Sequence, residues 1–129
     1  MKFSIVLYAA PYSSEAAATA LKFAKALLGQ GHTIYRLFFF NDGVYAANRF
    51  ATVAHNEISL QQQWDSFIAQ HEIDSVVCVT SAFKRGILDE QEAKRQQFEV
   101  ASMYGSSEIA GLGQLIDAAV NSNRVVNFG

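Results

Sequence analysis

The sequence predicts an α/β domain with three layers, in which a doubly wound and mostly parallel sheet lies between helices. Two observations support this prediction. Apolar runs that are typical of strands alternate with segments whose apolar residues recur at helical spacing. In addition, the run LFFF at positions 37–40 has no polar residue, as expected for a strand that is covered on both faces. Strands joined through helices imply right-handed parallel crossovers, which place helices against the sheet.

The first third of the chain contains two predicted strands with a helix between them. Serine side chains are good caps for the start of a helix, and glycines are common just after its end. The predicted elements, in order, are a strand over Lys2 to Tyr8, a helix that Ser13 or Ser14 caps and Gly29 and Gly31 end, a strand over Thr33 to Phe40, and a turn at Asn41-Asp42-Gly43.

The rest of the chain continues the alternation. A serine or aspartate followed three residues later by Gln or Glu predicts a capped helix start. The predicted elements are a helix that begins at Ser59 with Gln62, a third strand over Ser75 to Thr80, a helix start at Asp89 with Glu92, a last helix with apolar positions Leu112, Leu115, Ile116 and Ala119, and a last strand over Arg124 to Phe128.

The composition predicts one domain, residues 1–129, without a membrane or nucleic-acid partner. Half of the 129 residues are apolar, which is enough for one core, and there is no repeat or linker. The net charge of −2 and the ten Lys and Arg residues do not form the basic face that a polyanion requires. The N-terminal apolar run ends at Pro11, so a buried strand explains it better than a signal peptide. A single cysteine predicts a reducing cytoplasm.

The only cysteine, Cys78, allows two interpretations. Flanked by valines, it fits a small buried hydrophobe, the commoner role of a free cysteine. However, it lies near the carboxyl end of a predicted strand, where doubly wound folds place their sites. Lys84 and Arg85 follow closely, and nearby cations favour the thiolate, which is the nucleophilic form. No histidine is near in the sequence, so a Cys-His hydrolase is not indicated, and the residues alone leave the choice open.

Other chemistries have weaker signals. The serines after the first strand leave a small opening for a phosphate, as in a flavin- or nucleotide-binding domain with a flavodoxin-like layout, although ordinary helix capping explains them better. Gly111-Leu112-Gly113 is a poor dinucleotide motif, and tight helix packing is the better prediction for it. The three histidines are widely spaced, so we expect no metal site. The apolar loop with Val44, Tyr45 and Phe50 predicts either a satellite of the core or a protein contact.

Four segments show a pattern that one known family shares: MKFSIVLYAAPY, HTIYRLFFFNDGVYAAN, VVCVTSAFKRGILDEQEA and IAGLGQLIDAAVNSNRVVNF. Through them the chain resembles the DsrE family of sulfurtransferases, and within it the TusD type, essentially from end to end. The most specific part is a cysteine that ends an apolar strand, followed by the basic pair and glycine of KRG. Where the family has small alanines after the cysteine, this chain has Thr80 and Ser81.

The resemblance implies a DsrE-like fold and a sulfurtransferase that carries sulfur as a persulfide on Cys78, with no cofactor and no metal. Lys84 and Arg85 match the family's basic pair, and we expect them to stabilise the thiolate and the persulfide. The implied donor is TusA-like and the implied acceptor is TusE- or DsrC-like. The sulfur would serve 2-thiouridine formation at the tRNA wobble position or, in the similar Dsr system, sulfur oxidation. The resemblance also implies a hetero-hexamer with two related small subunits, of the TusB and TusC or DsrF and DsrH kind.

Overall fold

A computed structural model describes residues 1–129 and contains one five-stranded sheet in which all neighbouring strands are parallel. The spatial order of the strands is β4-β3-β2-β1-β5. The doubly wound α/β class is therefore confirmed, and the last strand has the predicted bounds. The strands are β1 (Lys2–Leu7), β2 (Thr33–Phe39), β3 (Ser75–Cys78), β4 (Glu108–Ala110) and β5 (Arg124–Phe128).

Five α-helices and one 3₁₀ helix connect the strands. They are α1 (Ala16–Gly29), the 3₁₀ helix (Asn41–Ala47), α2 (Leu60–Gln70), α3 (Val79–Lys84), α4 (Glu90–Arg95) and α5 (Gly113–Asn121). None of them is both long enough and apolar enough to cross a membrane.

Two of the predicted helix caps are confirmed, and one differs. The Ser59 side chain accepts a hydrogen bond from the Gln62 backbone N–H at 3.0 Å, and Asp89 accepts one from the Glu92 N–H at 2.9 Å. In α1, Glu15 occupies the N-cap position without a side-chain capping bond, although the Ser14 hydroxyl accepts a hydrogen bond from the Ala16 backbone N–H at 3.3 Å. The α1 helix ends at Gly29 as predicted, with Gly31 at a φ of +85°.

The main core lies on one face of the sheet, where α1, α2, the 3₁₀ helix and α3 pack. Its centre includes Ile5 and Phe39 from the strands, Trp64 from α2 and Ala82 from α3. Val44 belongs to this core and is fully buried, whereas Phe50 is about half exposed. The apolar loop after β2 therefore contributes Val44, Ala46 and Ala47 to the core, Tyr45 packs against it, and Phe50 stays at the surface.

The opposite face is covered by α5 and has a smaller core. Val6, Phe38, Val76 and Cys78 form it, and Leu115 of α5 packs against them. The prediction of the apolar side of the last helix is wrong in part, because two of its residues, Leu112 and Ile116, are 51% and 66% exposed. Ala118 is the α5 residue that is buried instead. A single short helix turns only a narrow side towards the sheet, so part of its apolar surface stays uncovered.

Two strand predictions need correction. The third strand ends at Cys78 rather than Thr80, because the chain turns into α3 at Val79 and buries Ala82 in the main core. The three-residue edge strand β4 was not predicted, since Glu108–Ala110 is too short to show alternation and has no fully buried residue. It nevertheless pairs in parallel with β3, with Ala110 opposite Cys78.

The crossovers leave the sheet on opposite sides at the β3–β4 edge. The chain after β3 turns to the main-core face through α3, whereas the chain after β4 turns to the other face through α5. Between such diverging connections a doubly wound sheet leaves a crevice beyond the carboxyl ends of its strands. Cys78 is the last residue of β3 and therefore borders this crevice.

Candidate functional site

A cavity of about 430 Å³ occupies this crevice, and three strands contribute to its lining. Beyond β2 it is lined by Phe40 and Asn41, and beyond β4 by Gly111 and Leu112. The largest contribution comes from the end of β3 and from α3. These residues are Cys78, Val79, Thr80, Ser81, Lys84 and Arg85. All three site residues predicted from the sequence thus meet in one cavity.

Cys78 fits both of the interpretations that the sequence left open. Its side chain lies on the α5 face and packs in the smaller core with Val6, Phe38 and Val76, so only 3% of the residue is exposed. The same residue lines the cavity, at its buried wall. Cys78 is also the N-cap residue of α3, and its sulfur makes no capping hydrogen bond. Cys78 is therefore packed in a core and also borders an open space.

The two cations of the cavity differ in how they are held. Lys84 is the last residue of α3, is exposed, and forms no ion pair within the chain. Arg85 follows it directly and is fixed at two points. Its Nε donates to Asp42 Oδ1 at 2.9 Å, and its Nη1 donates to the backbone carbonyl of Ser81 at 3.1 Å. Both cations therefore lie at the carboxyl end of a short helix.

Ser81 joins the ends of β2 and β3 at this site. The residue is 6% exposed, and its hydroxyl oxygen accepts a hydrogen bond from the Asn41 backbone N–H at 3.1 Å. This bond supports Asn41, which has a φ of +50° and lines the cavity. Ser81 therefore contributes an internal bond, whereas Thr80 is exposed.

Residues beyond β2 were not predicted as part of the site. The pattern Asn41-Asp42-Gly43 predicts a turn, and it closely follows a buried strand. Gly43 is required there because a Cβ at this position would collide with the carbonyl oxygen of Leu7. That close approach holds the loop against the end of β1. The position at the carboxyl end of a parallel strand was the available signal.

The alternative ligand sites receive less support from the geometry. The carboxylate of Glu15 stands at the N-cap of α1, where it would repel a phosphate bound after β1. The prediction of tight packing at Gly111 and Gly113 is wrong, because no atom lies within 4 Å of a Cβ built at either position. No group of three or more His, Cys, Asp or Glu side chains is placed to hold a metal ion.

A second polar cluster lies on the α5 face, near the amino ends of the strands, and was not predicted. The buried Arg36 of β2 donates to Asp74 Oδ2 and to Asp117 Oδ2, both at 2.8 Å, and to the carbonyl of Gln114 at 2.9 Å. The Tyr35 hydroxyl also donates to Asp117 at 2.7 Å. Hydrogen bonds from Tyr35 and then from Arg36 lower the pKa of Asp117. These bonds hold α5 against the sheet.

The chain belongs to the DsrE/DsrF-like family, whose sequence profile matches residues 1–128. It is 37% identical to the sulfurtransferase TusD of Cronobacter sakazakii over 99% of this chain and 100% of that protein. It is 40% identical to a sulfurtransferase TusD homologue of Pseudomonas aeruginosa over 100% of this chain and 98% of that one. The DsrE protein of Allochromatium vinosum is also 40% identical, over 100% and 99% of the two chains.

A solved structure shares the fold. The YchN protein of E. coli superposes with a TM-score of 0.79 and 26% identity, over 99% of both chains. The family resemblance seen in the sequence is thus confirmed, and the relatives' names bear out the predicted enzyme class, a sulfurtransferase.

Proposed function

We propose that this chain, acting as one domain over residues 1–129, is the sulfur-carrier subunit of a relay and holds sulfur as a persulfide on Cys78. One observation supports this most directly. The only cysteine of the chain lines the cavity beyond the ends of β2, β3 and β4, and two cations line the same cavity. Relatives that are 37% and 40% identical over at least 98% of their length are named sulfurtransferases. No cofactor or metal takes part in the reaction we propose.

The chemistry is two successive displacements at sulfur. In the first, the Cys78 thiolate attacks the outer sulfur of the donor's persulfide. A new S–S bond forms on Cys78, the donor's S–S bond breaks, and the donor cysteine leaves as a thiolate. In the second, the acceptor's cysteine thiolate attacks the outer sulfur on Cys78, and Cys78 leaves as a thiolate. Each step exchanges one S–S bond for another, so neither an oxidant nor a reductant is consumed.

Lys84 and Arg85 supply positive charge where each step has an anionic sulfur. The attacking thiolate, the persulfide and the leaving thiolate all carry negative charge at or beside Cys78. Cations close to a thiol favour its anionic form. We therefore assign both residues to stabilisation of the thiolate and the persulfide, and neither of them to proton transfer.

The burial of Cys78 restricts the partners to those with a protruding cysteine. With 3% of the residue exposed, a flat protein surface does not reach the sulfur. A cavity of about 430 Å³ admits the side chain of a cysteine on an extended segment or chain end. We propose a small TusA-like donor and a TusE- or DsrC-like acceptor whose cysteine enters in this way.

We propose that the transferred sulfur is used for 2-thiouridine formation at the tRNA wobble position, in the cytoplasm. Two of the relatives cited above are named TusD, and the net charge of −2 suits a subunit that leaves the tRNA to a later enzyme. The second candidate is sulfur oxidation, because the DsrE protein of Allochromatium vinosum is 40% identical to this chain, compared with 37% and 40% for the two TusD relatives. Both use the same displacement at Cys78.

The α5 surface fits the proposed assembly with two related small subunits in a hetero-hexamer. Leu112, Ile116 and Val120 are 51%, 66% and 74% exposed and recur at intervals of four residues, which places them along one side of the helix. An apolar stripe of this kind is typical of a protein contact. Leu112 also lines the cavity, so a subunit on this stripe would border the site.

Intact-mass spectrometry tests the proposal. The wild type, Cys78→Ser and Cys78→Ala are each incubated with a cysteine desulfurase, cysteine and a TusA-like donor. We expect the wild type to gain one sulfur atom that a reductant removes, and the variants to gain none. Circular dichroism checks that the variants are folded. If the wild type gains no sulfur either alone or in the reconstituted complex, under conditions that load the donor, the relay function is wrong.

A further inference from the structure

We propose that Asp42 is a positioning residue that holds the Arg85 guanidinium towards the cavity. There the guanidinium binds the anionic sulfur groups that reach Cys78. The inference rests on the proposed function and extends it to a residue outside the predicted site. Asp42 does not line the cavity, so it acts through Arg85.

The hydrogen bonds of Arg85 determine which of its donors are left for a ligand. A guanidinium has five N–H donors in a planar fork. Asp42 takes the one on Nε, and the Ser81 carbonyl takes one on Nη1. The remaining three have no acceptor within the chain, and Arg85 is one of the residues that line the cavity. The side chain is 26% exposed, so its position is restricted by packing as well.

The loop that presents Asp42 is itself rigidly placed. The preceding residue, Asn41, donates its backbone N–H to the buried Ser81 hydroxyl. The next residue, Gly43, lies against the Leu7 carbonyl, and Val44 is fully buried in the core. Asp42 thus stands between two anchored neighbours. This placement gives a structural reason for the pattern Asn41-Asp42-Gly43-Val44.

Charge alone would argue against a carboxylate at this place. Asp42 offsets one of the two cations near Cys78, so a purely Coulombic effect makes the cavity less attractive to an anion. A positioning effect has the opposite sign, because an Arg fixed in one orientation loses less freedom when it binds. The effect of removing Asp42 on anion entry therefore distinguishes the two roles.

Alkylation of Cys78 with two reagents of similar size measures this effect. Iodoacetate is anionic and iodoacetamide is neutral, so the ratio of their rates reports how well the cavity admits an anion. Dividing by the ratio for the denatured protein removes the intrinsic difference between the reagents. The full chain is used as wild type, Asp42→Ala, Asp42→Asn, Arg85→Gln and the double variant Asp42→Ala with Arg85→Gln.

We expect Asp42→Ala to lower the ratio on the order of threefold, although it removes a negative charge. Asp42→Asn keeps an acceptor for Nε while removing the charge, so its ratio should equal or exceed that of the wild type. Arg85→Gln should lower the ratio as well. The double variant should fall no further than Arg85→Gln, because Asp42 then has nothing to position.

A ratio that stays the same or rises in Asp42→Ala would overturn the inference. So would a wild-type Cys78 that reacts with neither reagent, since Arg85 could then guide no anion to the sulfur. The sulfur-loading assay is separate. If the wild type loads sulfur but Asp42→Ala leaves the alkylation ratio unchanged, only the role of Asp42 is refuted. If Asp42→Ala lowers the alkylation ratio but the wild type never gains sulfur, only the relay function is refuted.

Discussion

Arg36 on β2 donates from Nη1 to Asp117 Oδ2 on α5 at 2.8 Å. This bond joins the sheet to the helix that covers its smaller core. Arg36 has 9% of its side chain exposed, whereas Asp117 has 42% exposed. The same guanidinium binds Asp74 and the Gln114 carbonyl. Since α5 also carries Leu115 onto the core around Cys78, this cluster helps to hold one wall of the site.

Replacing Arg36 with Met should destabilise the protein. We expect Arg36→Met to lower the free energy of unfolding by about 2 kcal/mol, because several charge-assisted hydrogen bonds are lost while the apolar packing is largely kept. Arg124→Met is the matched control, since Arg124 is exposed and donates only to the adjacent Asn123 carbonyl. It should change the value by less than about 0.5 kcal/mol. Urea unfolding measures both, and equal losses would contradict the role of Arg36.

Acid should weaken the contribution of Asp117. Hydrogen bonds from Tyr35 and Arg36 lower its pKa in the folded state, so folding favours the ionised carboxylate. Its stabilising contribution is then present above the unfolded pKa of about 4, and is lost as the pH falls through the lower folded value. In urea titrations, the stability difference between wild type and Asp117→Asn should therefore shrink below about pH 4. A difference that is independent of pH would show that the ionised form is not favoured.

Gly43 and Gly29 should respond to alanine with opposite signs. A Cβ on Gly43 would collide with the Leu7 carbonyl, which is backbone and yields little, so Gly43→Ala should cost at least about 2 kcal/mol. Gly29, the last residue of α1, has nothing within 4 Å of a built Cβ. Gly29→Ala should stabilise the helix by about 0.5 kcal/mol. Thermal unfolding compares them, and a harmless Gly43→Ala would disprove the close approach.

A charge on the α5 stripe should affect assembly and leave folding intact. Ile116 is 66% exposed, so we expect Ile116→Lys to change the free energy of unfolding by less than about 0.5 kcal/mol. The same change should prevent this subunit from joining its proposed sister subunits, because a lysine would be desolvated in an apolar contact. Native mass spectrometry of the co-expressed subunits checks this.

The control for that experiment is Ala26→Lys, which adds the same charge at an exposed position of α1. This helix packs on the other face of the sheet. Normal assembly of both variants would mean that the α5 stripe is not the contact surface.

Cys78 should tolerate alanine better than serine. Its neighbours Val6, Phe38 and Val76 are apolar, so a serine hydroxyl would be buried with few acceptors in reach. We expect Cys78→Ser to cost about 2 kcal/mol, and Cys78→Ala about 1 kcal/mol for the small space it leaves. Equal stability of the two variants in urea would indicate that the cavity supplies a partner for the hydroxyl.

The strands with long apolar runs were predictable, and so was the approximate place of the site. The run at positions 37–40 and the valines before Cys78 mark buried parallel strands, and a residue at the end of such a strand is near the crevice of the fold. The edge strand Glu108–Ala110 was not predictable, because three half-covered residues show no period. Its pairing depends on the neighbouring β3, which is distant in the sequence.

By itself, the sequence determined the class of fold, the single thiol and the family. Periodicity, composition and motifs can all be seen along the chain without knowledge of its tertiary contacts. Only the tertiary structure decided that Cys78 is both packed and open to a cavity, that Asp42 binds Arg85, and that Ile116 is exposed. The physical reason is that burial and side-chain pairing depend on which elements meet. Asp42 and Arg85 are 43 residues apart, and the order of the strands brings them together.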